Sequence, residues 1–136
     1  MFQNLAKVQR RWRQRKAVTA AVAALVDGRL SVGDAMAALI SDNDQVFKLY
    51  LNRYKYAERY PEQPMEDYRA EGALFLQRLE ELLTDRDYLL ADHPCLADIA
   101  LLPFVRQFAH VDREWFAQTP YRALQEWLRG FLESEL

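Results

Sequence analysis

Along most of the chain apolar residues recur at three-to-four spacing, and alternation at every second residue is scarce. Residues 4–26 place Leu5, Val8, Trp12, Val18, Val22 and Leu25 on one side of a first helix, which Asp27 and Gly28 stop. Ser31, with Asp34 three residues on, resembles a capping box and opens a short helix over AMAALI. In SDNDQVFKLYLNRYKYAERY, which follows, Asp42, Asn43 or Asp44 can cap a new helix whose apolar stripe is Val46, Phe47, Tyr50, Leu51 and Tyr54. Pro61 and Pro64 end it, because two prolines that close cannot share a helix interior.

A longer helix over residues 65–83 turns Tyr68, Phe75, Leu76, Leu79, Leu82 and Leu83 inward and leaves Glu71, Gln77, Arg78, Glu80 and Glu81 to water. After a loop, PCLADIALLPFVRQF carries only two charges, Asp98 and Arg106, so a helix there is apolar nearly all round and belongs at the centre of a bundle. In TPYRALQEWLRGFLESEL, Thr119 is placed to cap and Pro120 to take the first helical position, with Tyr121, Leu124, Trp127, Leu128 and Phe131 facing inward. No β-branched alternating run and no hairpin turn of Asn-Gly or Asp-Gly type interrupts this pattern. The expected fold is all-α, a helical bundle of about five to six helices. A basic amphipathic helix over residues 1–30 would precede a helical domain over residues 31–136.

Composition narrows the class. At 136 residues, with 51% apolar and 28% charged side chains, the chain has the balance of one folded domain, not of a disordered segment. The longest apolar run, residues 17–26, is too short to span a bilayer. The single cysteine, Cys95, excludes an internal disulfide and fits a reducing compartment, so a cytoplasmic location is expected. Charge is uneven: residues 1–16 hold Lys7, Arg10, Arg11, Arg13, Arg15 and Lys16 with no acid, leaving 12 basic against 20 acidic residues in the rest. The helix that carries Arg10, Arg11, Arg13 and Arg15 can pack through Leu5, Val8 and Trp12 against the bundle with these cations solvated, or the arginines can offer a basic partner surface, for an acidic protein, the acidic body of a second copy or an anionic membrane face; nucleic acid is the weaker reading.

Candidate chemistry gathers around the apolar helix. Asp98 stands three residues after Cys95, where a carboxylate can reach back to the Cys95 N–H and meet the positive end of the helix dipole. Cys95 with nearby His93 could be read as a nucleophile, but Asp98 would oppose a thiolate, and a cap formed by Cys95 and Asp98 is the simpler account. Asp92, His93, Cys95 and Asp98 lack the ligand spacing of a known metal site. Neither catalytic nor metal-binding residues are expected. Tyr54, Tyr56 and Tyr60 alternate with Arg53, Lys55 and Arg59, which on a helix fans them around the axis instead of forming one surface. Arg106, a cation on an apolar helix, calls for a carboxylate partner or a route to solvent, with an ion pair the favoured account.

LADIALLPFVRQFAHVDREWF followed by YRALQEWLRGFL resembles the C-terminal helical domain of bacterial glutathione S-transferases, and SDNDQVFKLYLNRYKYAERYPE resembles its preceding helix. The resemblance covers residues 37–136 and rests most specifically on the S/T-x-x-D cap, met here by Cys95 and Asp98, and on FVRQF. It implies the half of a transferase that lines the hydrophobic co-substrate pocket, with Tyr54, Tyr56, Phe104 and Phe108 as candidate cleft residues. In that family a thioredoxin-like domain binds glutathione and activates its thiol, and this chain offers no strands in which to place one. The resemblance thus implies a domain that is not catalytic on its own and meets glutathione only through a thioredoxin-like partner. The alternative is a non-catalytic assembly module that works through the basic N-terminal helix.

Overall fold

A computed structural model describes residues 32–133. The helix expected over residues 4–26, the Ser31 cap and the arginines of the basic arm lie outside the described residues. The described chain forms α1 (Val32–Asp42), a π-helical segment (Asn43–Phe47), α2 (Lys48–Lys55), a 3₁₀ turn (Ala57–Arg59), α3 (Met65–Leu83), α4 (Leu96–Val111), α5 (Arg113–Gln118) and α6 (Arg122–Glu133). No strand occurs among these residues.

The break expected near Asp42 is absent: α1, the π-helical segment and α2 run on as one rod. No Gly or Pro interrupts residues 34–60, and the side chains that face inward explain why the helix widens instead of stopping. Ala35, Leu39, Val46, Phe47, Tyr50 and Tyr54 are all buried, and the extra residue of a π-helical turn keeps the second half of that stripe in line with the first. Asp42 and Asn43, read from the sequence as caps, are buried within the rod instead.

Pro64, with φ −68° and ψ 157°, sets the start of α3, and its apolar stripe packs against α2 on one side and α6 on the other. Glu71, expected in water, is buried on this helix. α4 is the central element, touching α1, α2, α5 and α6. It continues through Pro103, which lies on its exposed side, and it sinks Leu101, Val105 and Phe108 completely. The Phe108 ring occupies the middle of the core, 4.8 Å from the Tyr54 ring and 5.2 Å from that of Phe47. Across from it stands Gly72 of α3, where a Cβ would come within 2.8 Å of Phe108 Cζ. Glycine is what lets the two meet.

The chain between α4 and α6 differs from expectation. Asp112 caps α5 by accepting from the Trp115 N–H at 3.0 Å. Thr119 does not cap α6: its hydroxyl donates back to the Phe116 carbonyl at 2.7 Å and accepts from the Gln125 amide at 3.0 Å, closing the end of α5. The free amides at the start of α6 belong to Glu80 of α3, whose carboxylate accepts from Ala123 N–H at 3.2 Å and Leu124 N–H at 2.8 Å. Glu80 was expected in water. A carboxylate from a neighbouring helix satisfies the same orphan donors as a local cap and meets the same dipole.

Candidate functional site

The first turn of α4 is built around one carboxylate. Asp98 is 0% exposed, and its Oδ2 accepts from the Cys95 N–H at 3.0 Å while the Cys95 Sγ faces the Asp98 N–H, so both arms of a capping box are in place. The other oxygen serves more distant partners. Oδ1 accepts from the Leu89 N–H at 3.0 Å and from the Trp127 indole N–H at 2.9 Å. One buried acid thus ties the loop before α4, the cap of α4 and the last helix together. A buried charge is tolerable when every lone pair is used, as here.

That arrangement sets the chemistry of the thiol. Cys95 Sγ lies 3.2 Å from Asp98 Oδ2 and donates to it. Burial pushes the Cys95 thiol up from its ordinary pKa; the hydrogen bond to Asp98 and that group's charge push the same way, against a smaller opposing pull from the Ala97 and Asp98 amides. A thiol held protonated is a poor nucleophile. His93 pairs with the exposed Asp92 at 3.0 Å. Among the described residues no three His, Cys, Asp or Glu side chains come together as a metal site.

The four aromatic residues named for a cleft separate into two pairs. Tyr54 and Phe108 are core, at 1% and 0% exposure. Tyr56 and Phe104 are half-buried and line a cavity of about 330 Å³ between α2 and α4, together with Lys48, Leu51, Lys55 and Gln107. Lys55 and Gln107 also border an adjoining cavity of about 500 Å³ that runs along α4 past Pro103 and Arg106 to His110. The Tyr54 hydroxyl is buried and makes no hydrogen bond of good geometry; burial is the main reason its pKa lies above the ordinary tyrosine value, with the nearby Arg69 guanidinium pulling the other way.

The cations near this cleft are ordered by rings more than by acids. Lys48 Nζ sits 4.5 Å above the Phe104 ring, Arg59 stacks at 4.7 Å over Tyr56, and Arg53 lies 5.5 Å from the Tyr60 ring. Arg106 is exposed at the cleft, and among the described residues it forms no salt bridge, so it takes the route to solvent and not the favoured ion pair. Burial, and then the charges of Arg113 and Arg106, hold the His110 imidazole below its ordinary range.

A second surface lies at the start of α4. Leu96 and Ile99 are 64% and 46% exposed, and Leu96 borders a cavity of about 490 Å³ with Met36, Ala37 and Ile40 of α1. A fourth cavity, about 680 Å³, is bounded by Tyr88, Trp127 and Phe131 beside Arg86 and Glu126. No helix among the described residues is long and apolar enough to cross a membrane.

Sequence reasoning missed Gly72, Trp127 and Glu80 as determinants of this arrangement. Asp112 followed by Arg-Glu-Trp was a legible cap signal, whereas the partners of Glu80 and Trp127 lie 43 and 29 residues away with no local signature.

No curated protein and no solved structure matches the chain. The profile of the glutathione S-transferase C-terminal domain matches residues 62–130, from the residues just before α3 to most of α6. That interval contains the buried Asp98 cap, the central apolar helix and the closing aromatic helix, and it amounts to half of the chain. By its sequence profile and its all-helical architecture alike, the chain belongs to the glutathione S-transferase C-terminal domain family.

Proposed function

We propose that the domain is the co-substrate side of a glutathione transferase-like protein. Glutathione is held and activated by a thioredoxin-like domain supplied from outside the described residues, so these helices are not catalytic on their own. The observation that carries this reading is the apolar edge at Leu96 and Ile99, where Leu96 borders the cavity against Met36 and Ile40. Adjacent large side chains left in water at one edge of a packed domain mark a surface that another domain covers. The thiol chemistry supports the same division of labour. Activating glutathione calls for a donor beside the sulfur that favours the thiolate; the Cys95 thiol is held protonated in a cap, and the Tyr54 hydroxyl is closed off in the core.

The part left to this domain is to hold an apolar electrophile, and the cavity between Tyr56 and Phe104 has the ring faces and size for it. The test is a fluorescence titration of the purified chain with phenylnaphthylamine, an uncharged probe that brightens in apolar sites. Saturable binding that Phe104→Asp abolishes, and that Leu96→Asp leaves intact, is the expected result. A probe that finds no saturable site, or that responds only to Leu96→Asp, overturns the cleft as the co-substrate pocket.

A further inference from the structure

We infer that the cavity between the loop after α3 and the last helix, α6, is a separate ligand site that takes organic cations with an alkylated ammonium head. At about 680 Å³ it has the size of a small-molecule pocket, and it shares no lining residue with the cleft between α2 and α4. Three rings line it, Tyr88 from the loop and Trp127 and Phe131 from α6. The Trp127 and Phe131 rings meet at 73° with centroids 5.3 Å apart, and the Phe131 and Tyr88 rings at 68° and 5.9 Å, so consecutive rings stand edge to face like the walls of a box. Trp127 and Phe131 form a buried floor and the half-buried Tyr88 an accessible wall. The floor is fixed in place, because Asp98 holds the Trp127 indole N–H at 2.9 Å.

Charge and space fit the same class of ligand. Asp87 precedes Tyr88, Glu126 precedes Trp127, and both carboxylates line the cavity with the rings. Glu126 pairs with Arg129 in an exposed contact that water screens. Arg86 lines the cavity too, and its charge works against a cation there. Ring faces attract a cation through their quadrupole, the carboxylates add the complementary charge, and an alkylated ammonium gives up little hydration on entering. A neutral ligand of the same shape gains the apolar contact alone. Gly130 of α6 also lines the cavity, and no atom of the described residues lies within 4 Å of where its Cβ would stand. Glycine weakens a helix interior relative to alanine. Gly72 is needed for the approach of Phe108, whereas at position 130 a side chain would fill part of the cavity.

The experiment titrates the full chain with choline and with dimethylbutanol, its uncharged isostere, and follows the Trp127 indole N–H resonance. Choline is expected to shift that resonance saturably and to bind about ten-fold more tightly than the alcohol. The exposed double variant D87N/E126Q should weaken choline several-fold and Arg86→Gln should strengthen it, neither changing the affinity for dimethylbutanol. Gly130→Val, at an exposed position, should block both probes while leaving the far-UV circular dichroism of the chain unchanged. Equal affinities for the two probes, or charge variants that act in the reverse sense, overturn the cation selectivity. No saturable shift with either probe, or binding that Gly130→Val leaves intact, overturns the site itself.

Discussion

The Trp127 indole N–H donates to Asp98 Oδ1 at 2.9 Å, fastening the last helix to the first turn of the central one across 29 residues of sequence. With Leu89 and Cys95 it makes Asp98 the acceptor for three N–H donors in a site closed to water. Removing the acid strands all of them. Asp98→Ala should cost about 3 to 5 kcal/mol, and Trp127→Phe, which removes one donor to a charged acceptor, about 1.5 to 3 kcal/mol. Urea unfolding followed by far-UV circular dichroism measures both, and an Asp98→Ala loss below about 1 kcal/mol would show that the network does not organise the fold.

Cys95 gives a dependence on pH with a definite sign. Because its folded-state pKa is raised, the folded protein keeps this proton where the unfolded chain has lost it. Its contribution to stability is complete below the unfolded value, about 8.5, and is lost as pH rises from there through the folded value. Cys95→Ser should abolish that part of the alkaline decline while retaining the cap, since serine accepts hydrogen bonds better than a thiol does. At neutral pH the wild-type thiol should alkylate with iodoacetamide more slowly than free cysteine. Faster alkylation would mean that a thiolate is present.

Gly72 is expected to tolerate no side chain. A Cβ there collides with the Phe108 ring, which is hemmed in by Tyr54, Phe47 and Trp115 and has little room to yield. Gly72→Ala should destabilise by about 1 to 3 kcal/mol despite alanine's better helix propensity, and Phe108→Leu in the same chain should recover part of the loss. Thermal unfolding of the single and double variants reads the coupling, and a stabilising Gly72→Ala would refute the close approach.

Tyr54 makes the opposite prediction. Its ring packs on Phe108, but its hydroxyl is buried without a hydrogen bond of good geometry, the Arg69 guanidinium being the charge that acts on it. Tyr54→Phe keeps the ring and removes the stranded group, so stability should hold or rise by up to about 1 kcal/mol. A loss of more than about 1 kcal/mol would reveal a hydrogen bond to the hydroxyl that the geometry does not contain.

Local features were the legible ones. Helix α3 could be placed over residues 65–83 because Pro64 marks its start and its apolar period is clean. The Cys95 and Asp98 spacing pointed to the cap because both partners lie within one turn. Where the sequence misled, two local signals competed or a distant residue decided. Asp42, Asn43 and Asp44 looked like caps, yet continuity of the buried stripe carried the helix through them. Thr119 looked like the start of α6, but Glu80 takes its amides from another helix. Tyr54 stood in the apolar stripe with Tyr50 and is core, whereas Phe108 could not be told from Phe104 by residue type, since only packing decides which aromatic residue of a nearly all-apolar helix faces a cleft.

On the proposed function these helices hold a co-substrate and leave glutathione activation to another domain. Steady-state conjugation of glutathione to chlorodinitrobenzene by the purified chain tests it most directly, with product absorbance as the readout. The expected rate equals that of the uncatalysed reaction at every concentration of the chain. A rate that rises in proportion to the chain, and survives Cys95→Ser, would contradict it.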